Sequence, residues 1–115
     1  MTTLINRDEL ARAIETGAVT VVDTLPSSYY DQQHLPNAVN LVEDEVADRA
    51  ATLLADKATA VVTYCSNPAC GNSSAVARRL EQLGYTNVRR YKGGIQDWVE
   101  AEMPTQTSQT TTGNA

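Results

Sequence analysis

The sequence contains few of the residues that mark several classes of protein. Phenylalanine is absent, aromatic residues make up 5% of the 115 residues, and there are two cysteines and one histidine. Two cysteines are too few for a disulfide scaffold, and one histidine argues against structural zinc, which usually takes four ligands. We therefore expect no metal site, thiols that stay reduced, and a cytoplasmic location.

Long apolar runs and an excess of positive charge are also lacking. No apolar run approaches the roughly 20 residues of a membrane-spanning helix, and the first residues do not resemble a secretory signal. The net charge is −5 and the isoelectric point is about 4.7. Nucleic acids and anionic membranes bind nonspecifically to basic faces, so we expect neither as a partner. A small anionic substrate remains compatible, because backbone amides can bind anions.

The residues that are present alternate between two patterns. Short β-branched segments at residues 19–23, 38–41, 60–64 and 88–91 predict strands. Between them, apolar residues recur at helical spacing, and the first such segment opens with Asn6 and Glu9, the signature of a capping box. This alternation predicts an α/β fold: one domain with a mostly parallel central sheet flanked by helices on both faces.

The C-terminal segment has a different composition. Residues 105–115 contain no hydrophobic residue before Ala115 and are rich in Thr, Gln, Ser, Gly and Asn. Such a segment has nothing to bury against the entropy cost of ordering. We therefore predict a domain over residues 1–104 and a disordered tail over residues 105–115.

Cys65 directly follows the clearest strand, and a polar loop separates it from the next helix. Ligands of open parallel sheets bind beyond the carboxyl ends of strands. Curled loop amides and the positive end of the following helix would favour a thiolate at Cys65. We predict Cys65 as a nucleophile, with substrate held by the loop residues Ser66, Asn67, Pro68, Ala69, Cys70, Gly71, Asn72 and Ser73. A buried, unreactive cysteine is the alternative.

Cys70 is the second cysteine of the same loop, and four residues separate it from Cys65. It could be a resolving thiol that attacks an oxidised or persulfidated Cys65, forming a disulfide that releases sulfur or protects the thiol. The alternative is a small, passive loop residue.

Five stretches, taken in their order along the chain, resemble a known family. They are Val21-Val22-Asp23, Tyr30 with His34 to Asn40, the strand that ends at Cys65, Leu83 to Val88, and Gly93-Gly94 with Trp98. Each stretch is weak alone, but their order and spacing resemble a single rhodanese-like domain from about Asn6 to Pro104.

The resemblance implies a sulfurtransferase. Cys65 would take the outer sulfur of a small anionic donor, thiosulfate or a low-molecular-weight persulfide, and hold it as a persulfide. Cyanide, a thiol or an acceptor protein would then remove the sulfur, with no metal or organic cofactor. The resemblance also implies structural roles for Asp23, at a strand end, and for His34, in a turn where its ring would bond backbone.

Several positions depart from the family pattern. Rhodanese loops commonly carry an arginine shortly after the cysteine, whereas no Arg or Lys lies between Cys65 and Arg78 here. This disfavours a phosphatase-like role and leaves anion binding to backbone amides and polar loop side chains. Gln33, Asn37 and Glu102 stand where glycines are usual. Two alternatives stay open: a non-catalytic regulatory or binding module, and a thiol redox sensor that uses both cysteines.

Overall fold

The computed structural model describes residues 2–107, which form five strands, five α-helices and one 3-10 turn. In chain order the elements are β1 Thr3–Leu4, α1 Arg7–Thr16, β2 Thr20–Asp23, α2 Ser27–Gln32, β3 Val39–Asn40, the 3-10 turn Glu43–Glu45, α3 Val46–Leu53, β4 Val61–Tyr64, α4 Asn72–Gln82, β5 Val88–Tyr91 and α5 Gly94–Glu100. The sheet order is β1-β5-β4-β2-β3, and each neighbouring pair is parallel. This confirms the predicted α/β fold.

Both faces of the sheet are covered by helices, as the sequence pattern predicts. On one face α3 and α4 pack against the strand residues Val22, Val61 and Val88. On the other face α1 and α5, through Leu10 and Trp98, pack against Val21, Val62 and Tyr64. Burying each aliphatic side chain of this kind contributes roughly 1.5–3 kcal/mol. The central strand β4 is consequently buried along its whole length, so its carboxyl end is a rigid point in the fold.

Helix α1 begins as its sequence predicts. The Asn6 side chain accepts a hydrogen bond from the Glu9 amide, and the Glu9 carboxylate accepts one from the Asn6 amide. Gly17 ends the helix in the left-handed region, with φ of 71°. Strand β1 is the element that periodicity does not predict, because two exposed residues are too few to show a pattern.

Two of the three positions where the family usually has glycine adopt left-handed backbone. Asn37 has φ of 62° and Glu102 has φ of 61°, and they are the non-glycine residues with positive φ within residues 2–107. Gln33, the third position, is extended with φ of −168°. Non-glycine residues adopt positive φ at a cost, which explains the preference for glycine at the first two positions.

The start of the predicted tail is in fact paired with the domain. Gln106 forms an antiparallel bridge with His34, and the Thr107 hydroxyl donates to the Asp31 carbonyl (2.8 Å). Residues 105–107, just beyond the predicted boundary at residue 104, thus contact the domain through polar backbone and side chains without burying hydrophobic groups. The rest of the predicted tail, residues 108–115, lies outside the described residues.

Within residues 2–107, no helix is both long and apolar enough to cross a bilayer. The longest, α4, has 11 residues.

Candidate functional site

Cys65 lies at the carboxyl end of the central strand. Strand β4 ends at Tyr64, Cys65 follows with 1% of its surface exposed, and α4 begins at Asn72. The predicted order of strand, cysteine, loop and helix is therefore present. All five strands are parallel, so their carboxyl ends share this edge of the sheet, where ligands of open α/β folds bind.

The two cysteines of the loop are joined in a disulfide. Cys65 and Cys70 have Cα atoms 6.2 Å apart, within the usual range for a disulfide. The loop brings them together by turning back on itself, and the Cys70 amide donates to the Asn67 carbonyl (3.1 Å). The expectation of two reduced thiols is wrong for this structure, because a spacing of four residues lets this turn place one sulfur against the other.

Asn67 and Asn72, two of the polar residues predicted to hold substrate, form hydrogen bonds that shape the loop. Asn67 Oδ1 accepts from the Ala69 amide (2.9 Å), and Asn72 Nδ2 donates to the Thr24 carbonyl (3.3 Å). Ser66 Oγ lies 3.9 Å from Cys65 Sγ. Of the remaining predicted positions, the exposed ones are Pro68, Ala69 and Gly71. Ser66 thus places a hydroxyl near the Cys65 sulfur.

A guanidinium reaches the loop from outside it. Arg90 of β5 donates from Nε to Ser73 Oγ (2.8 Å) and from Nη2 to the Cys70 carbonyl (3.4 Å). Ser73 is buried, and its carbonyl accepts from the Thr63 hydroxyl (3.0 Å). The loop sequence lacks an arginine, but the fold supplies one from the neighbouring strand.

Sequence reasoning missed Arg90 because its role depends on strand register. Arg90 pairs with Thr63 across the parallel β4–β5 ladder. Residues in register on neighbouring strands point to the same face, so Arg90 lies on the Thr63 side of the sheet, where α4 packs. A correct sheet order with this register would have placed the guanidinium beside the loop.

The first turn of α5 holds the backbone of the loop. The Ile95 amide donates to the Cys65 carbonyl and the Gln96 amide donates to the Ser66 carbonyl, each at 2.9 Å. The N–H and C=O groups of a trans peptide point in opposite directions. The amides of Ser66 and Asn67 therefore point away from α5, as a loop that presents amides to an anion requires.

Gly94 allows this close approach. Its φ is 71°, and a Cβ built on it would lie 2.7 Å from the Cys65 carbonyl oxygen and from backbone atoms of Ser66. The turn at Gly94 is thus packed directly on the backbone of the cysteine loop. Only glycine fits there without displacing the loop backbone.

Asp23 and Tyr64 form a buried polar pair. Tyr64 lies on the face of the sheet that α1 and α5 cover, opposite to the face of Thr63 and Arg90. The Tyr64 hydroxyl donates to Asp23 Oδ2 (2.6 Å) and accepts from the Leu35 amide (3.1 Å), while Asp23 Oδ1 accepts from the Leu25 amide (2.8 Å). Burial raises the pKa of Asp23, and the hydrogen bonds from Tyr64 and Leu25 partly oppose that rise. Burial, with Asp23 beside it, also raises the pKa of Tyr64. The pair fixes backbone at the end of β2, which is the structural role the resemblance implies for Asp23.

Replacing Tyr64 by phenylalanine is expected to lower the free energy of unfolding by about 1–3 kcal/mol at pH 7, because it leaves buried partners unpaired. The loss should be larger at pH 7 than at pH 4. Ionised Asp23 costs stability above its unfolded pKa of about 4, and removing the Tyr64 hydroxyl raises the folded pKa of Asp23 further. Urea unfolding of wild type and Tyr64→Phe at both pH values measures the loss in the free energy of unfolding.

Tyr85→Phe is the matched control for that experiment. The Tyr85 hydroxyl is also buried, but it bonds the carbonyls of Ala50 and Leu54, which do not titrate. Its loss should therefore be the same at both pH values. Equal pH dependence in the two variants would contradict the assigned role of Asp23.

His34 has a structural place, as the resemblance implies. Its ring stacks on Tyr30 with centroids 4.0 Å apart, and its Nδ1 lies 2.8 Å from the Tyr30 carbonyl. The ring is buried and bonds backbone. Over residues 2–107, no cluster of three or more His, Cys, Asp or Glu residues is arranged to hold a metal ion.

Comparison with known proteins identifies the family. A sequence model described as the rhodanese-like domain matches residues 6–101. The thiosulfate sulfurtransferase PspE of Escherichia coli is 35% identical over 77 residues, which is 66% of this chain and 70% of that protein. The HTH-type transcriptional regulator Rv0324 of Mycobacterium tuberculosis is 36% identical over 100 residues, covering 87% of this chain but only 43% of the regulator.

Solved structures agree with this assignment. The BH2092 protein of Bacillus halodurans has a TM-score of 0.84 at 25% identity, covering 93% of this chain and 78% of that one. A structure described as rhodanese with anions from E. coli has a TM-score of 0.65 at 31% identity, covering 78% of this chain and 99% of that one. The chain belongs to the rhodanese-like domain family.

Proposed function

We propose that this protein is a sulfurtransferase that carries sulfane sulfur on Cys65. The observation that supports this most is the position of Cys65 at the carboxyl end of β4, in a loop that leads into α4. Relatives named thiosulfate sulfurtransferase, among them PspE, support the same reaction class. The donor would be thiosulfate or a low-molecular-weight persulfide, and the acceptor cyanide, a thiol or a sulfur-acceptor protein.

The reaction first requires the disulfide to open. Two equivalents of a small thiol reduce the Cys65–Cys70 bond by exchange and leave as their own disulfide. A reducing compartment such as the cytoplasm would supply this thiol, so a cytoplasmic location is part of the proposal. The Cys65 thiolate then attacks the outer sulfur of thiosulfate, the sulfur–sulfur bond of the donor breaks, and sulfite leaves with the electron pair. The enzyme is left with a Cys65 persulfide.

The loop provides electrostatic support for the anions in this step. The first amides of α4 have no partner within the helix, and the positive end of its dipole faces the loop. The Ser66 and Asn67 amides turn away from α5 and add to this field, and the Ser66 hydroxyl lies beside the sulfur. Such an environment favours a thiolate and a persulfide anion over their protonated forms. The whole predicted loop, Ser66 to Ser73, is the proposed substrate cradle.

The disulfide supports a second role, in which Cys70 is a resolving thiol. The Cys70 thiol attacks the inner sulfur of the Cys65 persulfide, the two cysteines join, and hydrosulfide leaves with the terminal sulfur and the thiol proton. Two thiol sulfurs are oxidised as the sulfane sulfur is reduced, so no external oxidant is needed. This step would compete with transfer to an acceptor.

Mass spectrometry of the reduced protein after thiosulfate treatment tests both roles. In Cys70→Ser, we expect an adduct of about 32 Da, one sulfur atom, to accumulate on Cys65. In wild type, the same treatment should give less adduct, release hydrosulfide and restore the disulfide.

The outcomes separate the alternatives. An adduct on residues other than Cys65 would contradict the nucleophile, and equal adduct in both proteins would contradict resolution by Cys70. No adduct with thiosulfate or glutathione persulfide would favour a non-catalytic module, the role that similarity to a transcriptional regulator also suggests. No adduct, but a disulfide that forms with mild peroxide, would favour a redox sensor.

A further inference from the structure

A cleft of about 370 Å³ lies beside the loop, between α4 and the β1–β5 edge of the sheet. Ser74, Arg78 and Glu81 of α4 line one side, at a spacing that puts them on one helix face. Arg90 lines the other side with residues of β1. The cleft therefore presents two guanidinium groups to solvent next to the cysteine loop.

Within residues 2–107 neither guanidinium forms an ion pair, although the Glu81 carboxylate also lines the cleft. The ion pairs within residues 2–107 involve other arginines, and Arg78 forms no hydrogen bond in this part of the chain. Arg90 bonds a hydroxyl and a carbonyl, which are neutral, and Glu81 accepts from the Thr2 hydroxyl (2.9 Å). In a chain of net charge −5, two unpaired arginines in one cleft are suited to an anionic ligand.

Arg90 connects the cleft directly to the cysteines. It bonds the Cys70 carbonyl and Ser73, so an anion between Arg78 and Arg90 would lie at the rim of the loop. Thiosulfate is compact and would be enclosed by the loop when it reacts. A ligand that reaches both the loop and Arg78 must carry its negative charge several bonds away from its sulfur.

We propose that this cleft binds the carboxylate of an extended, low-molecular-weight thiol or persulfide, with Arg78 as a specificity-determining residue. The inference rests on the proposed sulfur transfer at Cys65 and names the class of donor or acceptor that the site prefers. A short peptide thiol has the required reach, since an extended chain spans about 3.3–3.6 Å per residue. An arginine guanidinium can form a bidentate pair of hydrogen bonds with one carboxylate, so a carboxylate is a suitable ligand for Arg78.

The test compares two donors, glutathione persulfide and thiosulfate, in wild type and Arg78→Gln. We expect the ratio of kcat/KM for glutathione persulfide to kcat/KM for thiosulfate to fall about tenfold in the variant, mainly through KM. Arg79→Gln is the matched control, because Arg79 is the neighbouring residue and pairs with Glu43 away from the cleft. The control carries the same charge change and should leave the ratio within twofold of wild type.

Binding of S-methylglutathione, which has no transferable sulfur, separates this inference from the proposed function. If neither donor gives turnover, sulfur transfer fails, but calorimetric binding that weakens in Arg78→Gln and not in Arg79→Gln still supports the cleft. An unchanged donor ratio, or equal effects of the two substitutions on the ratio or on binding, would overturn the assignment of Arg78.

Discussion

Replacing Cys65 by serine is expected to lower sulfur transfer from thiosulfate to cyanide by about 10³-fold or more. A serine hydroxyl stays protonated at neutral pH and is a poor nucleophile for sulfur, so a persulfide cannot form at position 65. The loop surroundings change little, because the hydroxyl is close in size to the thiol. The rate of thiocyanate formation by protein first reduced with a small thiol measures the effect.

Reduced wild type is the required reference for Cys65→Ser. The substitution also removes the Cys65–Cys70 disulfide, and closing a loop of this length contributes about 2 kcal/mol in the chain-entropy description. Reduced wild type lacks the bond as well, so both proteins should unfold at similar urea concentrations. A folded Cys65→Ser protein that retains a tenth or more of the wild-type rate would contradict the assignment of Cys65.

The parts of this site that could be predicted are the ones set by local sequence. Cys65 follows a short β-branched strand and precedes a polar loop, and both features are visible within 15 residues of sequence. The capping box at Asn6 and Glu9 is local in the same way, and the structure reproduces it. Local signals thus placed Cys65 correctly, at the carboxyl edge of the sheet.

The parts that could not be predicted depend on contacts between distant segments. Arg90 contacts the loop only because β5 lies beside β4 in one particular register. The residues around position 90 do not indicate that register, so the contact could not be predicted from them. The disulfide needs a turn at Asn67 that the spacing of the cysteines allows but does not require. Polar ordering of residues 105–107 depends on His34 and Asp31, more than 70 residues earlier.

Replacing Gly94 by alanine is expected to lower the free energy of unfolding by about 2–5 kcal/mol. A non-glycine residue at φ of 71° costs about 1–2 kcal/mol, and the new Cβ, 2.7 Å from the backbone of Cys65 and Ser66, adds about 1–3 kcal/mol more. Domains of this size have only about 5–15 kcal/mol in total. The melting temperature should fall by roughly 8–20 °C.

Gly17→Ala separates the backbone strain at positive φ from the steric clash of the new Cβ. Gly17 has the same φ of 71°, but a Cβ built on it meets no atom within 4 Å. Its substitution should therefore cost only the backbone strain of a non-glycine residue at this φ, about 1–2 kcal/mol. The clash at Gly94 falls on the carbonyls that α5 holds in place, so Gly94→Ala should also lower kcat for thiosulfate under conditions where the variant is folded, and Gly17→Ala should not. Equal losses of stability in the two variants would mean that the loop yields to the methyl group, and that Gly94 does not fix the backbone around Cys65.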